Sequence, residues 1–492
     1  MLFNSIDFII FFPFVVLVLW IIPAKSRMIW LLFCSYFFYM CWEPKYIVLI
    51  IGSTVVTYFS AILMERVKEK QYKKFVMFIC ALCNLGLLFF FKYFNFTLKT
   101  IGMITGNESK SFDILLPVGI SFFTFQALGY TIDCYRGTTK AERNFITYAL
   151  FVSFFPQLVA GPIERSGNLL GQIKRLSEKK RTELIDWENI RDGLILMAWG
   201  MFLKLVIADR IAILVDNVYA NCNLYGSTGL IMAFFGFGLQ IYCDFGSYST
   251  IAIGAARVMG ITLMENFDAP YFATSITSFW RKWHISLSSW FRDYVYIPLG
   301  GNRKGKRRKL LNIIIVFMLS GLWHGANWTF VFWGGLHGIL QVFENLIKPS
   351  LNKLEEKIGI KKASFGFMLC RATIVTVVAD FAWVFFRADS FGQAFNFIKR
   401  LFTRIDFWIL STDKIYSYGL DVQEMWILVF SVLLLTMADY IKARRRLSID
   451  KWLNNQFAVF RIVFMLIIVA MTVLFGEYGP GFSSQQFIYF QF

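Results

Sequence analysis

What this chain can fold into is limited first by the length of its apolar stretches. "IDFIIFFPFVVLVLWII", "YIVLIIGSTVVTYFSAILM", "FVMFICALCNLGLLFFF", "FGFMLCRATIVTVVADFAWVFF", "WILVFSVLLLTMADYI" and "FRIVFMLIIVAMTVLF" carry few charges or none. Each approaches or exceeds the ~17–25 residues that cross the hydrocarbon of a bilayer as a helix. Inside hydrocarbon every backbone N–H and C=O needs a protein partner, and a helix supplies one from within the same segment. The chain therefore reads as an all-α polytopic integral membrane protein. A soluble domain carries about 25% charged residues; this chain carries 17%.

Its net charge of +18 fits the same reading, because Lys and Arg collect in cytoplasmic loops of membrane proteins. No nucleic-acid partner is expected; the bilayer is. The first apolar run has no basic segment before it and no small-x-small site after it, so it should stay as a spanning helix rather than be cleaved. Nearly all of the eight cysteines lie in apolar runs. The C-x-x-C of Cys80 and Cys83 reads as two small hydrophobes.

Basic loops set the expected topology. "PAKSR" and "ERVKEKQYKK" are basic, whereas "TLKTIGMITGNESKSFD" has no net charge. Their alternation puts the N-terminus outside and five spans before about Asp133. "CYRGTTKAERN" and "KRLSEKKRTE" then fall on one side with a single apolar stretch, Phe145–Ile163, between them. "FPQLVAGPIER" would break a helix there, so a re-entrant segment is expected. Spans are expected at about 190–215 and 228–258, and a hairpin or two spans over 311–347. The basic stretches "GGNRKGKRRK", "IKPSLNKLEEKIGIKK" and "KARRR" should be loops. Amphipathic helices should occupy the region from Arg387 to Gln423. The total is about ten to twelve transmembrane helices plus re-entrant and interfacial ones, in one domain over 1–492. No internal repeat is visible.

Ionisable groups within membrane segments mark function by default. In "GLQIYCDFGSYSTIAIG", Gln240, Tyr242 and Asp244 interrupt an apolar helix, either as contacts between helices or as part of a site. Gly236, Gly238, Gly246 and Gly254 would allow helices to approach closely. Only three histidines occur, and all lie within 54 positions: His284, His324 and His337. His284 stands in "SFWRKWHISLSSWFRD" beside Trp283, where Ser278 could cap a helix. His324 ends a long apolar run between Gly321 and Gly325; spacing alone would make it a satisfied core residue, but histidine is otherwise confined to this region and a buried imidazole suits a general base. His337, in "GGLHG", reads as structural. The spacings match no zinc pattern, and no metal is expected. "GGNRKGKR" fits a P-loop from Gly300 to Lys306 until Arg307 replaces the required hydroxyl. Asn302, Arg303, Lys304 and Lys306 could still receive a phosphate.

These residues resemble the membrane-bound O-acyltransferase family, in the branch that O-acetylates alginate and peptidoglycan. The resemblance runs from "MLFNSIDFIIFF" to about "FFRADSFGQAF". It is carried most specifically by "ENFDAPYFATSITSFWRKWHISLSSWFRDYVYIPLGGNRKG" and "LSGLWHGANWTFVFWGGLHG". It departs at Gly246–Ser247 and Thr250, where the family more often has Ser-Gly and an Asp. The resemblance implies a signature core over about 115–345 and C-terminal helices over 366–476, around a central tunnel. It implies that His324 and His284 are catalytic, with Asp244, Gln240, Tyr242, Trp283, Trp323 and Asn327 lining the tunnel. It implies acetyl-CoA or another acyl thioester as a cytoplasmic donor whose phosphates lie near Asn302, Arg303, Lys304 and Lys306. An extracytoplasmic polysaccharide would be the acceptor, reached through an esterase-like acetyl-accepting partner of the SGNH type. No bound cofactor is implied, and the location would be the plasma membrane. A transporter that moves acyl groups or glycans without making bonds is the alternative, though paired repeats of that class are missing here.

Overall fold

The structure is a computed structural model that describes residues 1–107, 110–159 and 161–479. Those residues form helices and loops, with no strand among them. Six helices are long and apolar enough to cross a membrane: Pro44–Arg66, Lys70–Thr105, Ser227–Val258, Phe365–Arg387, Val422–Arg445 and Ala458–Phe475. The Ile6–Ile21 helix is apolar but shorter, at 16 residues. Gly305–His324 and Trp328–Lys357 have the length but are not among the six. The polytopic all-helical reading holds, with six helices meeting both criteria among the described residues. All eight cysteines are free.

The chain divides into two compact units, Met1–Met197 with Tyr248–Glu265, and Ala198–Ser247 with Asn266 onward. In the first unit, five helices precede Gly137: Ile6–Ile21, Arg27–Met40, Ile47–Arg66, Lys70–Thr105 and Ile120–Arg136. The broken segment that follows is a nine-residue helix, Phe145–Ser153, and then the short Phe155–Leu158. At 1.5 Å per residue the first covers about 14 Å, half of the ~30 Å hydrocarbon core. Its break is satisfied by protein groups, as buried irregular backbone must be. Gln126 and Gln157 both donate to the Phe151 carbonyl, and Phe155 N–H donates to Ser35 Oγ. Ala160, within the expected re-entrant stretch, lies outside the described residues.

One topology marker has a structural use. Arg27 is 2% exposed, and its guanidinium donates to the Leu176 and Lys179 carbonyls at 3.1 and 2.7 Å. These lie at and just beyond the end of the Ser166–Leu176 helix. Gly254 also behaves as expected: a Cβ there would sit 2.5 Å from the Gly193 carbonyl oxygen. Gly246 does not, since its nearest neighbours would be 3.9 Å away.

The second unit contains the Gly305–His324 and Trp328–Lys357 hairpin. Small residues set its spacing. A Cβ on Gly321 would lie 2.1 Å from the Phe330 carbonyl oxygen, and one on Gly334 equally close to that of Phe317. All three basic stretches expected as loops are helical over much of their length; residues 442–445 of "KARRR" end the Val422–Arg445 helix. The basic stretch after Asn302 enters the helix at Gly305, which puts Lys306 in its first turn. The Trp328–Lys357 helix runs through Pro349. Beyond that proline, "LNKLEEK" is rich in strong helix formers, and Lys362 pairs with Glu355 at 2.9 Å. Phe391–Thr403 is a helix with Ala394 and Phe397 buried and Lys399 and Thr403 exposed, the amphipathic arrangement expected there, although Phe395 and Phe402 are exposed as well.

Candidate active site

His324 is the last residue of its helix, and the carbonyl end of that helix faces any positive charge the ring acquires. The turn that follows is tight. Gly325 N–H bonds to the Gly321 carbonyl, and a Cβ on Gly325 would strike the Phe330 ring at 2.2 Å. Asn327 then caps the returning helix by accepting from Thr329 N–H at 3.2 Å, and its amide donates to the Asp389 carbonyl. The expected tunnel-lining residue Asn327 thus holds the turn behind His324.

His284 comes from a different local device. Residues 276–291 contain no Gly or Pro, yet they form two seven-residue helices, Ile276–Lys282 and Ile285–Phe291. His284 sits between them in the left-handed conformation, φ 44° and ψ 54°. The cap of the first helix is Ser275, whose hydroxyl accepts from Ser278 N–H while Ser278 Oγ accepts from Ser275 N–H. Ser278 is therefore the reciprocal partner of the cap, three residues into the helix, rather than the cap itself.

The two imidazoles meet. Their ring centroids are 6.1 Å apart, with His284 fully buried and His324 3% exposed. Trp323 stands 5.8 Å from His284 and 5.0 Å from His324. Phe245 packs on His284 at 4.6 Å. Trp333 and Phe386 also pack on His324, at 5.2 and 5.5 Å. Trp283, also fully buried, packs on Phe279 and Trp383 instead of on either histidine. His337 accepts a hydrogen bond from Trp280 Nε1 at 3.2 Å, which suits a structural group.

The other expected residues separate. Asp244 accepts from Lys204 Nζ at 2.7 Å, and the same ammonium lies 2.7 Å from Asp209. Tyr242 donates to Asp439 at 2.8 Å, and Gln240 is buried on the same helix. Tyr242 lies with Tyr271, Asp380, Asp439, Lys282 and Arg444 on a cavity of about 540 Å³. Neither His284 nor His324 lines it; its Tyr242 and Tyr271 rings stand 6.1 and 6.2 Å from Trp283. Asn302, which accepts from the Tyr296 hydroxyl, and Arg303, Lys304 and Lys306 are exposed. Lys306 and His324 occupy opposite ends of one helix, so about 27 Å of helix rise separates them. Among the described residues, no group of three His, Cys, Asp or Glu side chains could hold a metal ion.

Sequence reasoning passed over Lys204, Asp209, Asp380 and Asp439. Each is an ionisable residue within or beside an apolar run, the same signal that singled out Asp244.

Comparison with known proteins bears on this arrangement. The family model for membrane-bound O-acyltransferases matches residues 18–379. The probable alginate O-acetylase AlgI of Pseudomonas syringae pv. tomato is 34% identical, over 91% of this chain and 84% of its own. A peptidoglycan O-acetyltransferase of Helicobacter pylori is also 34% identical, over 81% and 79%. A teichoic acid D-alanyltransferase of Streptococcus thermophilus is 30% identical over 52% of this chain and 63% of its own. Both His284 and His324 fall inside the matched region. The chain belongs to the membrane-bound O-acyltransferase family and is an acyltransferase of a multi-pass membrane protein type.

Proposed function

We propose that this protein moves an acetyl group from a cytoplasmic thioester to a hydroxyl of a polysaccharide outside the membrane, with His324 as general base. The observation that carries the reading is the pair of imidazoles 6.1 Å apart in a buried aromatic surround. His324 takes the proton of the acceptor hydroxyl as its oxygen attacks the thioester carbonyl. A C–O bond forms, the C–S bond breaks, and the imidazolium returns its proton to the departing thiolate. His284 orients or stabilises the charge developing on the carbonyl oxygen. Trp323, Trp333 and Phe386 exclude water, which would otherwise hydrolyse the thioester.

The donor is acetyl-CoA or a carrier-bound acyl thioester, with its phosphates at Asn302, Arg303, Lys304 and Lys306. Those exposed cations sit at and before a helix N-terminus, where bound anions are favoured. The thioester then has to reach along the length of the Gly305–His324 helix, through a tunnel to which Gln240, Tyr242, Asp244, Trp283 and Asn327 contribute. The hydroxyl acylated first belongs to an esterase-like extracytoplasmic protein, which passes the acetyl group on to polysaccharide or peptidoglycan, in keeping with the names of the relatives. The protein lies in the plasma membrane with its N-terminus outside.

The test is acetyl transfer from radiolabelled acetyl-CoA in membranes holding equal amounts of the unaltered protein and of His324→Ala. Loss of a general base costs ~10²–10⁴-fold, and that fall is expected with insertion unchanged. Wild-type transfer by His324→Ala would remove His324 from the chemistry. Charge reversal at Arg303, Lys304 and Lys306 together should raise the apparent KM for acetyl-CoA. An unchanged KM would leave these residues as topology markers only.

A further inference from the structure

The break that aims His284 is made by a segment that precedes both helices. In an unbroken helix Ser286 N–H would bond to the Lys282 carbonyl, four residues back. Here each partner of that bond is taken by a different atom of one short segment. Asp268 N–H donates to the Lys282 carbonyl at 3.0 Å. Ser286 N–H donates to Asn266 Oδ1 at 3.3 Å. Ile285 N–H donates to the Asn266 carbonyl at 2.9 Å. Asn266 is 1% exposed, so water does not compete for these groups.

We infer that Asn266 is a positioning residue that keeps His284 in its left-handed backbone conformation and so holds the imidazole against His324. The inference rests on the catalytic role proposed for His284. Nothing local in residues 276–291 requires the break. With the side-chain oxygen of Asn266 gone, Ser286 N–H loses its partner and is drawn to the Lys282 carbonyl, which it would share with Asp268 N–H, and His284 can relax to a right-handed helical conformation. Each helical residue turns by about 100°, so joining the two helices swings the imidazole off His324. Left-handed backbone at a residue other than glycine persists only where its surroundings enforce it. Asn266 and Asp268 are the enforcing groups.

The first test reads geometry without activity. In a chain cleared of native cysteines, His284→Cys and His324→Cys are joined by a short methanethiosulfonate crosslinker. The crosslink should form with Asn266 present and with Asn266→Asp, which keeps the accepting oxygen. It should fall to background with Asn266→Ala, or with Asn266→Ser where Asn266→Ala does not accumulate. Equal crosslinking in the alanine or serine variant overturns the inference. The second test uses catalysis. Asn266→Ala should lower kcat by about 10²-fold, the cost of misplacing a reacting group by about an ångström, with the donor KM unchanged. In a His284→Ala background it should cost nothing further, because the two residues act as one unit. Full additivity would make Asn266 merely structural. If His284→Ala is itself fully active, the proposed role of His284 fails, while the crosslink still decides whether Asn266 sets its position.

Discussion

Lys204 lies between two carboxylates with 1% of its side chain exposed. Breaking a buried charge group by removing one partner costs about 3–5 kcal/mol, since the remaining charge is left uncompensated. Lys204→Met should therefore lower the thermal midpoint of the solubilised protein sharply or abolish its accumulation. Adding Asp209→Asn and Asp244→Asn to Lys204→Met should recover much of the loss. A midpoint unchanged by Lys204→Met alone would mean that water reaches the triad. His337 tests the opposite kind of residue. Its imidazole accepts from Trp280 and is fully buried, so His337→Ala leaves a cavity and an unpaired indole N–H. That variant should lose stability by about 1–3 kcal/mol while each folded molecule keeps most of its acyl transfer. A specific-activity loss matching that of His324→Ala would place His337 in the chemistry instead.

At the scale of elements, the hairpin that carries His324 depends on backbone contact across glycines. Gly334 and its neighbour Gly335 make a matched pair. A Cβ at Gly334 would sit 2.1 Å from the Phe317 carbonyl oxygen, and one at Gly335 would meet nothing nearer than 3.6 Å. Gly334→Ala has to push the two helices apart, an overpacking that typically costs ~1–3 kcal/mol. It also shifts His324, so transfer should fall along with stability. Gly335→Ala should be neutral or slightly stabilising, because alanine favours the helix. Equal behaviour of the two variants in thermal unfolding would contradict the close packing. The sequence showed the glycines and the hairpin but misjudged its ends. In the sequence a basic run reads as loop because charge marks sides of a membrane, whereas helix formation follows propensity and caps, which "LNKLEEK" also satisfies.

For the whole molecule, the proposed direction of transfer depends on which side each loop occupies. Lys110 lies in a stretch without net charge, and Lys306 in "NRKGKRRK"; both are exposed. Lys110→Cys should react with a membrane-impermeant thiol reagent on intact cells. Lys306→Cys should react only after lysis, as the positive-inside rule requires. The reverse pattern would put the basic turn outside, away from cytoplasmic thioesters, and the direction of transfer would be abandoned even with His324 essential.

The sequence by itself determined that this is a helical membrane protein and that a helix breaks near Pro156, and it singled out His284 and His324 by their rarity and setting. Apolar length, helix breakers and residue rarity can all be read locally along a chain. The tertiary structure alone decided three other matters. It paired Asp244 with Lys204, 40 positions away, and made Arg27 a brace for carbonyls about 150 positions away. It also broke residues 276–291 at His284, although that stretch has neither Gly nor Pro. The physical reason is common to all three: a buried polar group must find a partner, and the partner is chosen by which segments the packed helices bring alongside. No pattern within the segment records that choice. The conformation of His284 is written in Asn266 and Asp268, and only the folded chain sets them beside it.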